Sequence, residues 1–382
     1  HAVCGIFVQT FVTYIVKPPD MKKSFFTLSA ILLSCVLATG QVRNEIDIPD
    51  LDGYQTLKCD FHIHTVFSDG TVWPTVRVQE AYKEGLDAIS LSEHIEYRPF
   101  SKDIIASHNR SYEVAKPLAD KMGIILIKGS EITRSMPPGH SNAIFLSDAD
   151  SLEQDNYKDA FAAAKRQNAF IFWNHPGWEA QQPDTTLWWK EHTELLESGC
   201  MHGIEVVNGK YFPEAHRWCL EKGLTMIGNS DVHQPIDWNV DFAKGGHRGM
   251  TLVFAKERSE EGIREALLSR RTVVYHGENL IGEELYLREL FEKALEVRNV
   301  KKGSKSVSVT FYNNSDLVFY LKKSEHDTDI RYFRDYTIRP HCLHTITVNL
   351  DNGVKSGKVN FEVTNLWVGP YKGMECSYDV KL

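Results

Sequence analysis

The strongest constraint on the fold is a regular alternation of short apolar runs with longer amphipathic stretches across the first three quarters of the chain. Segments 57–63, 86–91, 124–127, 143–146, 169–173, 203–207, 224–227 and 250–254 are predominantly apolar runs of strand length. Runs of this kind suit strands buried on both faces. Helical patterns fill most of the gaps, at 75–84, 102–121, 156–167, 185–197, 213–222 and 259–269. Alternating β and α units predict a parallel sheet, and seven or eight in series favour a closed barrel over an open one. The pattern changes near Gly282. A helical stretch at 283–297 is followed by strand-like runs at 307–312, 317–321, 345–350 and 358–363, broken by Asn313-Asn314, Asp351-Asn352-Gly353 and Gly357. This predicts a small antiparallel β-sandwich after the barrel.

Ahead of the barrel, 41–56 reads as an acidic linker, and 21–40 has the layout of a signal peptide. Lys22 and Lys23 precede a short apolar stretch from Phe25 to Leu37, and Ala38-Thr39-Gly40 supplies a small-residue cleavage site before Gln41. The apolar stretch is too short to span a bilayer. Residues 1–20 are read as upstream sequence. The expectation is an exported protein, periplasmic or secreted. In the alternative, Leu32-Leu33-Ser34-Cys35 is a lipoprotein box that anchors the chain through Cys35. A formal net charge of −8 argues against a dedicated nucleic-acid binder, though not against a nucleotide substrate. The cysteines that would follow cleavage (Cys59, Cys200, Cys219, Cys342, Cys376) form no CxxC pair, and Cys342 with Cys376 is the one pairing considered.

Chemistry-bearing residues gather at the ends of the predicted strands. His62 and His64 close the first, Glu93 and His94 follow the second, and Glu131 follows the third. His175 ends Phe170-Ile171-Phe172-Trp173-Asn174, while Asp231 and His233 follow the run at 224–227. A β/α barrel brings the C-terminal strand ends to one mouth. Side chains two apart on a strand point the same way, so His62 and His64 face the mouth together, as do Asp231 and His233 if that segment stays extended. Imidazoles mixed with carboxylates suit zinc, manganese or iron.

At these positions the sequence resembles a known family. Cys59-Asp60-Phe61-His62-Ile63-His64-Thr65, Ser68-Asp69-Gly70, Ser90-Leu91-Ser92-Glu93-His94 and Ser230-Asp231-Val232-His233 look like the four ordered motifs of the polymerase-and-histidinol-phosphatase (PHP) phosphoesterases. The resemblance spans about Lys58 to His276. It implies a distorted (β/α)7 TIM-like barrel, at 57–281, with two or three divalent ions, while the run pattern places the linking helix and β-sandwich at 282–382. Carried over by position, it implies a first metal on His62, His64, Glu131 and Asp231. Glu131 would bridge to a second, held also by His140 and His175, and Asp69, His94 and His233 would hold a third. Glu93 departs from the family, which usually has Asp before this histidine.

The function expected is hydrolysis of a small organic phosphodiester or phosphomonoester. The expected nucleophile is a metal-bound hydroxide, bridging divalent ions that Glu131 and Asp231 help to hold and attacking phosphorus in line. A third ion, or a protonated His or Asp, would serve the leaving group. Arg134 and Arg248 are the candidate phosphate forks, each with a plain surface role as its alternative. Trp173, Trp178, Trp188 and Trp189 surround His175 in sequence, and one of them is a candidate platform for a flat substrate. Two other functions compete. An amidohydrolase-type C–N hydrolase would need a bridging lysine where Glu131 stands, and Lys128 would face the other way. The other is a non-catalytic exported binding protein.

Overall fold

The ladder that organises the molecule begins with β1 (Gln55–Asp60), β2 (Ala88–Leu91) and β3 (Ile125–Ile132), three parallel neighbours. The computed structural model describes residues 42–324 and 329–382. The expected leader at 21–40, with Cys35 and the upstream residues, lies outside the described residues. β4 (Ser141–Ile144), β5 (Phe170–Trp173), β6 (Gly203–Asn208), the two-residue β7 (Lys210–Tyr211), β8 (Thr225–Asn229) and β9 (Met250–Ala255) complete the barrel wall. β5, β6 and β8 run parallel, but β4 is antiparallel to both its neighbours and β9 is antiparallel to β1. The ring closes where the chain beyond β1 pairs with the chain beyond β8. Asp231 N–H donates to the His62 carbonyl at 2.9 Å, and His64 N–H donates to that of Val232 at 3.1 Å.

The apolar runs became strands because each finds cover on both faces. β2, β4, β5 and β9 are buried at every residue. One apolar cluster combines Leu57, Cys59, Phe61, Ala88, Ile127, Ile144, Phe172, Ile227 and Val253, drawn from around the ring, and so fills its interior. Outside stand α1 (Pro74–Lys83), α2 (Arg110–Met122), α3 (Tyr157–Arg166), α4 (Lys190–Glu197), α5 (Pro213–Lys222) and α6 (Glu260–Leu268). Local signals set their ends: Pro at the first turn of α1 and α5, Asn156 and Ser259 capping the first N–H groups of α3 and α6, and left-handed Gly123 and Gly223 closing α2 and α5.

Two of the six helices around the barrel begin several residues later than their sequence patterns, and the helix expected at 283–297 ends at Ala294, where a strand takes over. Before α2, His108 N–H donates to the Asp150 side chain and the Asn109 amide to Asp148 and Asp150, so this segment ties itself to the next loop. Before α4, Leu187 N–H is taken by Gln182 and Trp189 N–H by His192 Nδ1 at 3.0 Å, which fixes the entry turn.

β10 (Thr272–His276) and β11 (Asn279–Gly282) extend the sheet from β9, and α7 (Glu284–Ala294) buries Leu287, Leu290, Phe291 and Ala294 beneath it. The C-terminal region has two sheets. One contains β12 (Leu295–Lys302), β13 (Ser306–Asn313), β15 (Ile330–Arg331) and β17 (Leu343–Leu350). The other contains β14 (Phe319–Lys323), β16 (Asp335–Ile338), β18 (Ser356–Gly369) and β19 (Lys372–Lys381). It is continuous with the barrel sheet, because Leu280 and Ile281 of β11 pair in parallel with Leu366 and Trp367 of β18. Cys342 and Cys376 do not pair: Cys342 sits exposed just before β17, and Cys376 is buried on β19 of the opposite sheet. Among the described residues no helix is long and apolar enough to cross a membrane.

Two buried histidines outside the barrel mouth help hold the wall. His192 accepts the Trp189 N–H on Nδ1, donates Nε2–H to the Pro138 carbonyl at 2.8 Å, and packs 3.7 Å from the Trp173 ring. Burial lowers its pKa to about 4, and burial does the same for His216 beside the Tyr211 hydroxyl. Because the folded value lies below that of the unfolded chain, the stabilisation is complete above about pH 6.5 and is lost as pH falls towards 4. For His192 the loss should reach at most about 3 kcal/mol. Denaturant titrations of the chelated protein across this range should show a shallower acid limb for His192→Gln. An unchanged limb would remove His192 as its source.

Candidate metal centre

The strand ends deliver a compact set of ligand-type atoms to the mouth. His62 Nε2 and His64 Nε2 are 3.1 Å apart, and each lies 3.1 Å from Asp231 Oδ1 and 3.3 Å from Glu131 Oε2. Four donors on one ion at about 2.0–2.1 Å would stand roughly 3.0–3.4 Å from one another. The other Glu131 oxygen, Oε1, is 2.7 Å from His140 Nδ1 and 3.8 Å from His175 Nε2. Asp69 Oδ1 is 3.2 Å from His233 Nε2 and 3.4 Å from His94 Nε2, the nucleus of a third group. All nine ligand-type residues named from the sequence therefore converge. Grouping by distance also brings His94 towards Glu131 and His140, while His175 stands further off.

The backbone bends to achieve this. Asp231 (φ 53°) and His175 (φ 27°) are non-glycine residues in the left-handed region, which strains the chain at ligand positions. The extended segment expected from Asp231 to His233 is absent. Those two side chains therefore serve different groups, and His233 Nδ1–H returns to the Asp231 carbonyl at 2.8 Å.

Several buried atoms in the mouth receive no hydrogen bond: Asp69 Oδ1, Glu131 Oε1, His140 Nδ1 and Asp231 Oδ1. Buried polar atoms seldom stay unpaired, so atoms of this type, distributed over three clusters of ligand-type side chains, fit divalent cations. The electrostatics agree. Burial opposes charge on His94, yet Glu131 and Asp69 outweigh it and lift that imidazole to about 10. His62 is held well above its usual value by Asp231, Glu205 and Glu131, again against burial. Glu131 lies well below the usual carboxylate range: burial would raise it, but His94, His140 and His62 prevail. Burial alone drives the core imidazoles His192 and His216 the opposite way. The mouth attracts positive charge, whether supplied by protons or by cations.

A surrounding layer orients these ligands. Glu205 is fully buried on β6; its Oε1 accepts from His62 Nδ1–H at 2.8 Å and from the Asn229 amide, and its Oε2 accepts the His175 N–H at 2.7 Å. Sequence reasoning missed it, although a lone charge inside Gly203-Ile204-Glu205-Val206-Val207 was the available signal. Glu93, the residue departing from the family pattern, accepts from the Thr65 and Ser68 hydroxyls at 2.5 and 2.6 Å and from Thr65 N–H. It braces the turn that carries Asp69. Asn208 donates to Asp231 Oδ2 at 3.2 Å, and Thr133 lies 2.7 Å from His94 Nδ1.

Both arginine candidates are corrected. Arg248 is buried and spends all three nitrogens on Glu84 and Asp60, locking the end of α1 to β1. Arg134 pairs with Glu96 at 2.7 Å and donates to the Gln154 and Asp155 carbonyls. Neither lines the cleft that holds the ligand set. The cation on the wall of the cleft is Lys210, on β7, 2.9 Å from Glu179. The cleft has a volume of about 850 Å³. Lys128 points away, with Nζ 2.9 Å from the Ser147 carbonyl. His202 is structural: it accepts the Ile171 N–H and stacks on Phe170.

Removing a ligand and removing its support should differ in degree. His62→Ala with His64→Ala should strip the protein of tightly held divalent metal, as read by elemental analysis after gel filtration. Glu205→Gln keeps the shape but weakens the hold on His62, and affinity should fall roughly 10–100-fold. Wild-type metal content in the double variant would dismantle the first group.

Comparison with known proteins adds a lineage to this geometry. An Ig-like domain family matches residues 294–379. A crystal structure of a two-domain protein from Bacteroides vulgatus, containing a predicted PHP-like metal-dependent phosphoesterase, is 60% identical. The match covers 89% of this chain and 100% of that one, with a TM-score of 0.88. An uncharacterized protein of Methanocaldococcus jannaschii is 29% identical over 200 residues, which make up 49% of this chain and 87% of its own. The chain thus belongs to the family of PHP-like metal-dependent phosphoesterases, in a two-domain form that joins the barrel to an Ig-like domain.

Proposed function

We propose that the protein hydrolyses a small organic phosphate ester, diester or monoester, with two or three divalent ions held by the mouth residues. The observation that carries this reading is the split role of Glu131, whose two oxygens face imidazoles of different groups. That arrangement suits ions placed side by side, which can clamp the attacking and leaving oxygens of an in-line phosphoryl displacement. His62, His64, Glu131 and Asp231 would hold one ion, Glu131, His140 and His175 another, and Asp69, His94 and His233 a third. Ions there would supply Lewis acidity, neutralising phosphoryl oxygens and lowering the pKa of water.

The chain's own residues do the rest. Glu131 and Asp231, both held ionised, keep the negative field that draws cations in. Asn208 fixes the second oxygen of Asp231, and Glu205 fixes His62 and the His175 backbone. Lys210 offers an ammonium to an ester oxygen turned away from the ions. In the overall reaction water adds across one P–O bond and the departing oxygen leaves as an alcohol. The C–N hydrolase alternative loses support, because Lys128 points away from the mouth.

The test compares an aryl phosphodiester, an aryl phosphomonoester and an aryl amide with zinc- or manganese-loaded protein. Turnover of an ester but not the amide, abolished by chelator and reduced at least about 100-fold by Asp231→Asn, is the expected outcome. Amide turnover alone would overturn the proposal.

A further inference from the structure

Of the four tryptophans around His175, three are accounted for by packing. Trp173 stacks on Trp218 at 5.6 Å, Trp188 meets both edge-on, and the Trp189 indole N–H donates to Gln182. Trp178 has no such role. The residue is 44% exposed, yet its ring stands 5.5 Å from the His140 ring and 5.3 Å from that of His175. Tyr97 is likewise 53% exposed, and its ring lies 5.8 Å from that of His94. Both residues line the same cavity as the metal-ligand set.

Two solvent-facing aromatic rings beside ligand imidazoles leave apolar surface wet at the place where substrate must enter. A flat ring inserted between them would cover that surface and gain offset-stacked or edge contact. The loop that carries Trp178 is held in place for this. Gln181 donates to the Arg134 carbonyl, Gln182 to that of Pro176, and Glu179 pairs with Lys210 on β7. Lys210 thus ties the residue that follows Trp178 to the hairpin.

We propose that Trp178 and Tyr97 wall a slot for an aromatic or heteroaromatic group of the ester, with Trp178 as the specificity-determining platform. This rests on the phosphate-ester reading above. The substrate class is then phosphate esters bearing a flat ring, either an aryl alcohol or a nucleoside, in preference to alkyl esters such as those of methanol or glycerol.

The test is a calorimetric titration of metal-loaded full chain with phenylphosphonate and methylphosphonate, which bind but do not turn over. Wild type should hold the phenyl compound about 5- to 10-fold tighter, Trp178→Ala should erase that margin, and Trp178→Phe should keep most of it. In turnover, Trp178→Ala should raise KM for phenyl phosphate while kcat holds. Adding a nucleoside monophosphate distinguishes a base-bearing substrate from a simple aryl one. Equal affinity for the two phosphonates in wild type, or equal weakening of both by Trp178→Ala, overturns the slot. If no ester is hydrolysed yet phenylphosphonate is still favoured through Trp178, the phosphoesterase reading falls and the slot stands.

Discussion

A carboxylate with no exposure to water, Glu131, sits at the centre of the design. Burying such a charge costs several kcal/mol unless it is compensated on every side. Its compensation is drawn from β1, β2, the turn before β4 and the end of β5, and only a closed ring of strand ends can bring these to one point. The barrel, the antiparallel insertion of β4 and the left-handed bends at His175 and Asp231 all serve that convergence. The imidazoles respond to it as well. His62, His94 and His175 are pushed towards the charged form, whereas His192 and His216, buried in the wall, are pushed towards the neutral one.

The C-terminal region contributes to the mouth from outside. Trp367 of β18 and Tyr371 after it pack against Tyr211, at 4.8 and 5.3 Å between ring centres. Tyr211 belongs to the two-residue strand that also carries Lys210, two positions after Asn208. The Ig-like region therefore supports the hairpin that supplies the cleft with its cation and Asp231 with its amide partner.

Much of this was legible in the sequence because strands buried on both faces leave predominantly apolar runs. Ligands at barrel strand ends also follow at once from parallel topology. The directions of β4 and β9 were not legible, since periodicity records burial and not polarity. Asp69 and His140 lie in loops without a strand-end signature, and the family resemblance alone singled them out. Glu205 was visible as a charge inside an apolar strand but was not read as support for a ligand. The burial of Arg248 was not legible either. Its carboxylate partners, Asp60 and Glu84, are distant in sequence and adjacent only in the fold.

The shared ladder between β11 and β18 bears on how such a protein can be taken apart or recombined. Cutting the chain after the barrel would not free a self-sufficient module. It would leave the flank of β11 with a row of unpaired amide and carbonyl groups where Leu366 and Trp367 had been. An exposed flank of this kind recruits strands from other molecules and promotes aggregation. The C-terminal region is thus also a protective cover, and swapping it for another domain requires a replacement strand in the same register.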